Sequence, residues 1–273
     1  MTKSRILTVV VTFYPEKVLL RKNVSAYVDY VDKVLVWENT PPEESRNYRY
    51  LDCEKLIYYG DGVNSISHAL NYAWRYARDN GYDYLLTMDQ DSVWEDFRLF
   101  LAKTVYSENA PVGIWTPQVI EREQKLEYVE TLQPITSGML IKTELLNNIG
   151  GWNELFTIDS VDDEFIIRAH RKGIKAYIIK GAKLNQTFGE PKEKCILGHT
   201  IKLRNYPPSR LYNIFRNNII LIRMYPEADF IKLNFKKSWL SYIKYILVFE
   251  NQKAKKLQAI VKGMVAGKMY KIN

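Results

Sequence analysis

The spacing of apolar positions changes along the chain and divides it into regions. Ile6 to Phe13, Lys33 to Trp37, Lys55 to Tyr59 and Asp83 to Met88 are short, nearly continuous apolar runs. Runs of this kind predict strands buried on both faces. Between them, Val18 to Val31 and Ser65 to Asn80 space their apolar residues at helical period. Strands alternating with helices predict a mainly parallel sheet flanked by helices, a nucleotide-binding architecture in the broad sense. The polar, proline-rich "NTPPEESRNYRY" reads as a loop.

From about Val112 the runs shorten. "VGIWTPQVI", "KLEYVETL" and "ITSGMLI" predict strands of a smaller mixed sheet, followed by a helix from Thr143 to Ile149 that Gly150 and Gly151 stop. "DSVDDEFIIRAHRKG" predicts a further helix closed by Gly173, and "IKAYIIK" a return strand. After Pro207 and Pro208 the pattern becomes helical and basic. Residues 231 to 273 hold ten lysines against one acid, Glu250, interleaved with apolar and aromatic residues. The resulting organisation is an α/β domain over 1–206, with halves 1–110 and 111–206, and a C-terminal helical region over 207–273. Basic amphipathic helices either pack on a core with a solvated lysine face or lie on an anionic membrane surface.

Composition narrows the classes without choosing one. At 273 residues, 47% hydrophobic and 26% charged, the chain is ordinary globular protein rather than disordered. A net charge of +8 favours an anionic partner. Nucleic acid is set aside, because the lysines gather in an aromatic and aliphatic C-terminal region rather than in a recognisable nucleic-acid module. Cys53 and Cys195 lie in no metal-ligand spacing. The start "MTKSRILTVVVTFYPEK" has the basic and apolar parts of a signal peptide but no cleavage site, and reads as a first strand. No apolar run is long enough to span a bilayer. The cytoplasm, with peripheral attachment to its membrane face, is the expected location.

Two acidic clusters are the candidates for chemistry. In "YDYLLTMDQDSVW" a buried-looking strand runs directly into Asp89 and Asp91. Ligands gather beyond the carboxyl ends of parallel strands, and paired hard oxygen donors there suit a hard cation. The competing reading is structural: Ser92 to Glu95 fits the Ser-x-x-Glu capping box, with Asp91 only adding negative charge to a helix start. The second cluster is Asp159, Asp162, Asp163 and Glu164 at a helix entry. Glu164 can pair with Arg168 one turn on, whereas Asp162 lies off the buried stripe of Val161, Phe165 and Ala169. Dinucleotide, P-loop and serine-hydrolase motifs are absent, and His68, His170 and His199 read as structural or surface residues.

Taken in order, "VVVTFYP", "VWENT", "ISHALNYAWRYARDNGYDYLLTMDQDS", "ITSGMLIKTELLNNIGGWNELFTIDSVDDEFIIRAHRKGIKAYII" and "RLYNIFRNNIIL" resemble the family 2 glycosyltransferases of the GT-A fold, and more narrowly their bacterial rhamnosyltransferase-like branch. The resemblance implies an inverting transferase. It would move a sugar such as rhamnose from a nucleoside-diphosphate donor to a surface-glycan or lipid-linked acceptor, with Mn2+ or Mg2+ as cofactor. It places Asp89 and Asp91 on the sugar nucleotide, Asp91 as direct ligand of the metal, Glu38 and Thr12 near the nucleoside, and Asp162 as the catalytic base. Arg210 and Arg216, with Tyr212 and Asn217, fall in a block suited to the diphosphate or a closing loop. Three positions depart from the pattern: Glu38 replaces aspartate, Ser65 stands where glycine is usual, and Gln186 stands where histidine is common. Two other readings remain at this point. A sugar nucleotidyltransferase would need a glycine-rich loop after the first strand, which "VTFYPEKVLLRK" lacks, and an inert sugar-nucleotide or glycan-binding protein would fit the departures.

Overall fold

A computed structural model describes residues 4–41, 43–44, 53–119, 124–186, 192–196, 199–203 and 205–272, with backbone alone between 192 and 203. Most of the expected 39–50 loop and the end of "VGIWTPQVI" lie outside the described residues. The chain forms two compact units. The first is 1–157 with 161–186; the second is 187–273 together with the short segment 158–160.

Unit 1 is built on one sheet. Parallel strands β1 (Ile6–Thr12), β2 (Lys33–Glu38), β3 (Leu56–Tyr59) and β4 (Tyr84–Asp89) lie in the order β3, β2, β1, β4. Beyond β4 the sheet continues through β8 (Met139–Lys142), β6 (Ile114–Gln118), β9 (Ala176–Asn185) and β5 (Val93–Trp94), with β7 (Tyr128–Thr131) also pairing with β9. The later strands therefore extend the first sheet, joined by the antiparallel pair β4/β8. Ile6, Leu7, Val9 and Val10 of β1 are almost wholly buried. That explains why the strand reads as a continuous apolar run: a central parallel strand covered on both faces has no polar side.

The helices of unit 1 are α1 (Lys17–Ser25), α2 (Ile66–Asp79), α3 (Phe97–Lys103), α4 (Thr143–Ile149) and α5 (Val161–Arg171). The single helix expected over 18–31 ends at Ser25 and is followed by a 3-10 turn at Val28–Tyr30. Tyr27, wholly buried, turns its ring into the core and donates its hydroxyl to Asn23 Oδ1 at 2.8 Å, a contact that helical spacing alone does not reveal. The capping box at Ser92 is not formed. Val93 and Trp94 pair as a strand with Asn185 and Leu184, and the cap is Asp96, which accepts from Leu99 N at 2.8 Å to start α3.

Unit 2 holds a hairpin of β10 (Lys192–Ile196) and β11 (His199–Leu203) and three helices, α6 (Pro208–Met224), α7 (Asp229–Phe249) and α8 (Lys253–Met269). Its core is Leu211, Ile214, Phe215, Ile246 and Ile260, flanked by Phe235, Trp239 and Tyr242. α8 packs backbone to backbone on α6. A Cβ at Gly263 would lie 2.4 Å from Tyr212 O and one at Gly267 2.7 Å from Arg216 O, so only glycine permits the approach at either position.

Candidate active site

The registers of β1, β2 and β4 bring three of the expected residues to one edge. Thr12 lies opposite Glu38, and Val11 opposite Asp89, so the carboxyl ends of the three strands share a rim. Side chains then lace the rim together. Thr12 Oγ1 donates to Trp37 O at 3.0 Å, Thr40 N donates to Glu38 Oε1 at 2.9 Å, and Tyr14 N donates to Thr40 Oγ1 at 2.8 Å. Gln90, between the two aspartates, accepts from Phe13 N at 2.7 Å and donates to Phe13 O at 3.1 Å. The buried Thr12 hydroxyl is thus committed to the scaffold, while Glu38 also stiffens its own turn.

Asp89 and Asp91 sit on this rim, each half-buried. Their backbone is fixed from two sides: Asp89 N donates to Ser137 Oγ at 3.0 Å, and Asn23 Nδ2 donates to Asp89 O at 2.8 Å and also to Ser92 O. The loop that brings Ser137 passes close under Trp94. Gly138, with a φ of 80°, leaves no room for a Cβ, which would lie 2.7 Å from Pro117. Burial and then the neighbouring Asp91 charge push the Asp89 carboxyl up to about 6, although a hydrogen bond from Gln186 opposes both. Burial also raises Asp91. Two crowded, partly desolvated carboxylates of like charge make an electrostatic deficit that a bound cation would remove.

Gln186, the last residue of unit 1, supplies a further sign. Its Nε2 donates to Asp89 Oδ2 at 2.9 Å, across 97 residues of sequence, and its Oε1 is buried with no hydrogen-bond partner. An orphaned buried acceptor costs free energy unless a ligand satisfies it. It lies beside the carboxylate pair, so an oxygen-seeking cation or a donor group of a ligand fits there. Among the described residues there is no group of three or more histidine, cysteine, aspartate or glutamate side chains suited to a metal. Asp91 and Asp89 are the side chains here that could hold a hard cation, an ion type that commonly takes further ligands from bound oxygens and water.

α5 carries the second acidic cluster. Glu164 is 1% exposed and forms a two-pronged pair with Arg168, whose Nε and Nη2 donate to its two carboxylate oxygens at 2.9 Å. Arg168 also donates to Ile149 O and Gly151 O, locking the end of α4. Asp162 and Asp163 are half-buried in the first turn. Burial alone pushes the Asp163 carboxyl up to about 6, a feature that spacing did not single out.

Another carboxylate arrangement surrounds His68 on α2. His68 Nε2 lies 2.7 Å from Asp61 Oδ2, and Nδ1 lies 3.2 Å from Glu154 Oε2. Burial would lower its pKa, but the hydrogen bonds to the two carboxylates outweigh burial and raise it. Ser65 caps α2 through His68 N at 3.3 Å, so the serine at this departure has a structural use. His170 is exposed, and the side chains of His199 and Cys195 lie outside the described residues.

The expected arginines belong to unit 2. Arg210 donates to Asp159 Oδ1 at 3.2 Å and stacks over Tyr206, 4.4 Å from the ring centre. Arg216 donates to Asn217 Oδ1 at 2.9 Å, and Asn217 in turn donates to Ile158 O and Asp159 O. These bonds hold Asp159 and Ser160 in left-handed backbone, at φ values of 58° and 61°. Asp159 Oδ2 and Arg210 Nε are buried without a partner.

No protein-family model matches the chain. It is 27% identical over 248 residues to the dTDP-rhamnosyl transferase RfbF of Shigella flexneri, covering 81% of this chain and 80% of that protein. Among solved structures, TarS of S. aureus, in complex with UDP-GlcNAc, superposes with a TM-score of 0.58 at 15% identity, covering 96% of this chain and 81% of that one. The mannosyltransferase PcManGT of Pyrobaculum calidifontis, in complex with GDP-Man and Mn2+, gives 0.58 at 13% identity over 98% of this chain and 88% of that one. The fold is that of the GT-A type glycosyltransferases.

Proposed function

We propose that the chain is an inverting, metal-dependent glycosyltransferase of the family 2 type. It would transfer rhamnose from a nucleoside-diphosphate donor to a growing surface glycan on a lipid carrier, at the inner face of an anionic membrane. The observation that carries the reading is the Asp89 and Asp91 pair on the strand-end rim, with the unpaired Gln186 oxygen beside it. The sequence likeness to a dTDP-rhamnosyl transferase supports rhamnose and a thymidine nucleotide.

Breaking the sugar–phosphate bond leaves charge on the departing diphosphate, and a divalent cation on Asp91 and Asp89 would supply the counter-charge. Asp89, gripped by Ser137, Asn23 and Gln186, orients the pair. Glu38 and the turn after β1 bound the rim on which the nucleoside would lie. The acceptor hydroxyl must lose a proton, and Asp162 is the base in this reading, a role worth about 10²–10⁴-fold in rate. One base acting on the face opposite the leaving group inverts the anomeric centre. Arg210 and Arg216 are assigned to the diphosphate or to loop closure around it.

The test is a thermal-shift screen of dTDP, UDP and GDP with and without Mn2+ or Mg2+, followed by transfer from dTDP-rhamnose. A cation-dependent rise with dTDP is expected, since a ligand that binds the native state raises its melting temperature. Stabilisation by nucleotide in the absence of any cation, unchanged in Asp91→Ala, would remove the metal from the reading.

A further inference from the structure

α7 has two apolar faces, and the unit 2 core accounts for one. Phe235, Trp239, Tyr242 and Ile246 recur at three- and four-residue spacing and pack inward with Leu211, Ile214 and Phe215 of α6, and Ile231, one turn before them, is also buried. On the opposite side Leu233, Leu240 and Leu247 are 54%, 60% and 49% exposed. They stand seven residues apart, so they form one stripe along the helix. The exposed Lys236 flanks it on one side, and the exposed Lys237, Lys244 and Val248 flank it on the other. From Leu233 to Val248 the helix has no acid. α8 repeats the design: Val261, Val265 and Met269 are exposed in a row, bordered by the exposed Lys262 and Lys268, with no acid between Lys253 and Met269. Among the described residues, Lys232 pairs with Asp229 and Lys256 with Glu250, and both lysines lie outside these stripes.

We infer that the outward stripe of α7, Leu233, Leu240 and Leu247, flanked by Lys236, Lys237, Lys244 and Val248, is a docking surface for anionic lipid headgroups, with the α8 stripe as a second contact. This rests on the proposed reading in one respect, since a lipid-linked acceptor lies at such a surface, but its physical basis is separate. Leucines in a line, bordered on both sides by lysines and preceded by one acid, Asp229, which Lys232 pairs, match a plane of buried chains under a negative headgroup layer. Lysine stems can lie along the apolar stripe while their ammonium groups reach the phosphates. A helix of 21 residues is about 32 Å long, but no helix among the described residues is long and apolar enough to cross a membrane, so α7 lies in the interface plane.

The whole chain is incubated with vesicles of phosphatidylcholine alone and of phosphatidylcholine and phosphatidylglycerol in equal parts, and co-sedimentation is measured. Binding is expected only with phosphatidylglycerol present, and weakening as salt rises. Lys236→Gln, Lys237→Gln and Lys244→Gln together lower the partition by about a hundredfold, at roughly fivefold for each lysine. Leu233→Ser, Leu240→Ser and Leu247→Ser together lower it at least as much, and because all three side chains are exposed the melting temperature stays in place. No binding to either vesicle overturns the inference, as does equal binding to both. So does a sedimentation-velocity dimer that the serine variant converts to monomer, which would make the stripe an interface between copies. The same samples are scored for stabilisation by dTDP with Mn2+. Stabilisation without vesicle binding removes only the docking surface, and vesicle binding without stabilisation removes only the transferase reading.

Discussion

The chain presents carboxylates in two settings, at the end of a buried strand and at the start of a helix, and the difference lies in what the surroundings leave unsatisfied. At the strand end, Asp89 and Asp91 are crowded together, and the partners the described residues give Asp89 are neutral groups: the Gln186 amide at its carboxylate, and the Ser137 hydroxyl and Asn23 amide at its backbone. At the helix start, Glu164 has a dedicated guanidinium, that of Arg168. Clustered acids therefore carry no single meaning. A carboxylate with its own arginine holds the fold together, whereas a crowded pair whose side chains meet a neutral amide is prepared for a charge that comes from outside.

The largest expected effect follows from the strand-end pair. Asp91→Ala should lower turnover by about 10³-fold or more, the scale of losing one electrostatic stabiliser of the leaving group, and should abolish the Mn2+-dependent thermal shift with dTDP. Retained cation-dependent binding in this variant would equate the two clusters and undo the contrast. Next comes Asp162→Asn, expected to lower kcat by about 10²–10⁴-fold while leaving dTDP and Mn2+ stabilisation unchanged. If that variant turns over normally, the base lies elsewhere, and Asp163 is the adjacent carboxylate to replace.

Glu164→Gln breaks the contrast from the other side. Removing one partner of a buried ion pair leaves the other charge uncompensated, at about 3 kcal/mol for a pair with Arg168 still partly exposed. The expected result is a lower urea midpoint with nucleotide binding intact in the folded fraction. A stable but inactive protein would place Glu164 in the chemistry.

How much of this was legible depended on the range of the contact. β1, β2 and β4 were readable because a strand covered on both faces must be apolar throughout, and Asp89 stood out as the first polar residue after such a run. The Ser92 to Glu95 capping box was a false signal. Four residues specify the motif, but Trp94 is 4% exposed and pairs with Leu184, ninety residues on, and that tertiary pairing makes the segment a strand. With the helix start moved to Asp96, the structural reading of Asp91 loses its basis. Gln186 stands where the family resemblance expects histidine, yet its bond to Asp89 and its unpaired oxygen depend on where β9 ends in space. The pair of Glu164 and Arg168 was legible because it is one helical turn long. The burial of Asp163 was not, because helical spacing sets direction and says nothing of what packs above the first turn.

The smallest effect, and the one that sharpens the helix cluster, concerns Asp163. Burial raises its carboxyl from the ordinary 3.8 to about 6, so between these values the folded chain binds more protons than the unfolded one. Stability then falls as pH rises through that window, because ionising a desolvated group costs free energy in the native state only. Asp163→Asn keeps the shape and removes the charge. The variant should match the wild type below about pH 4, gain on it as pH rises from about 4 to about 6, and stay ahead by about 1–3 kcal/mol at neutral pH, where the difference no longer changes. Urea denaturation of both proteins across that range measures the difference. A variant less stable than the wild type at neutral pH would mean that the ionised carboxylate has a favourable partner, and Asp163 would then belong with Glu164 among the groups that hold α5 in place.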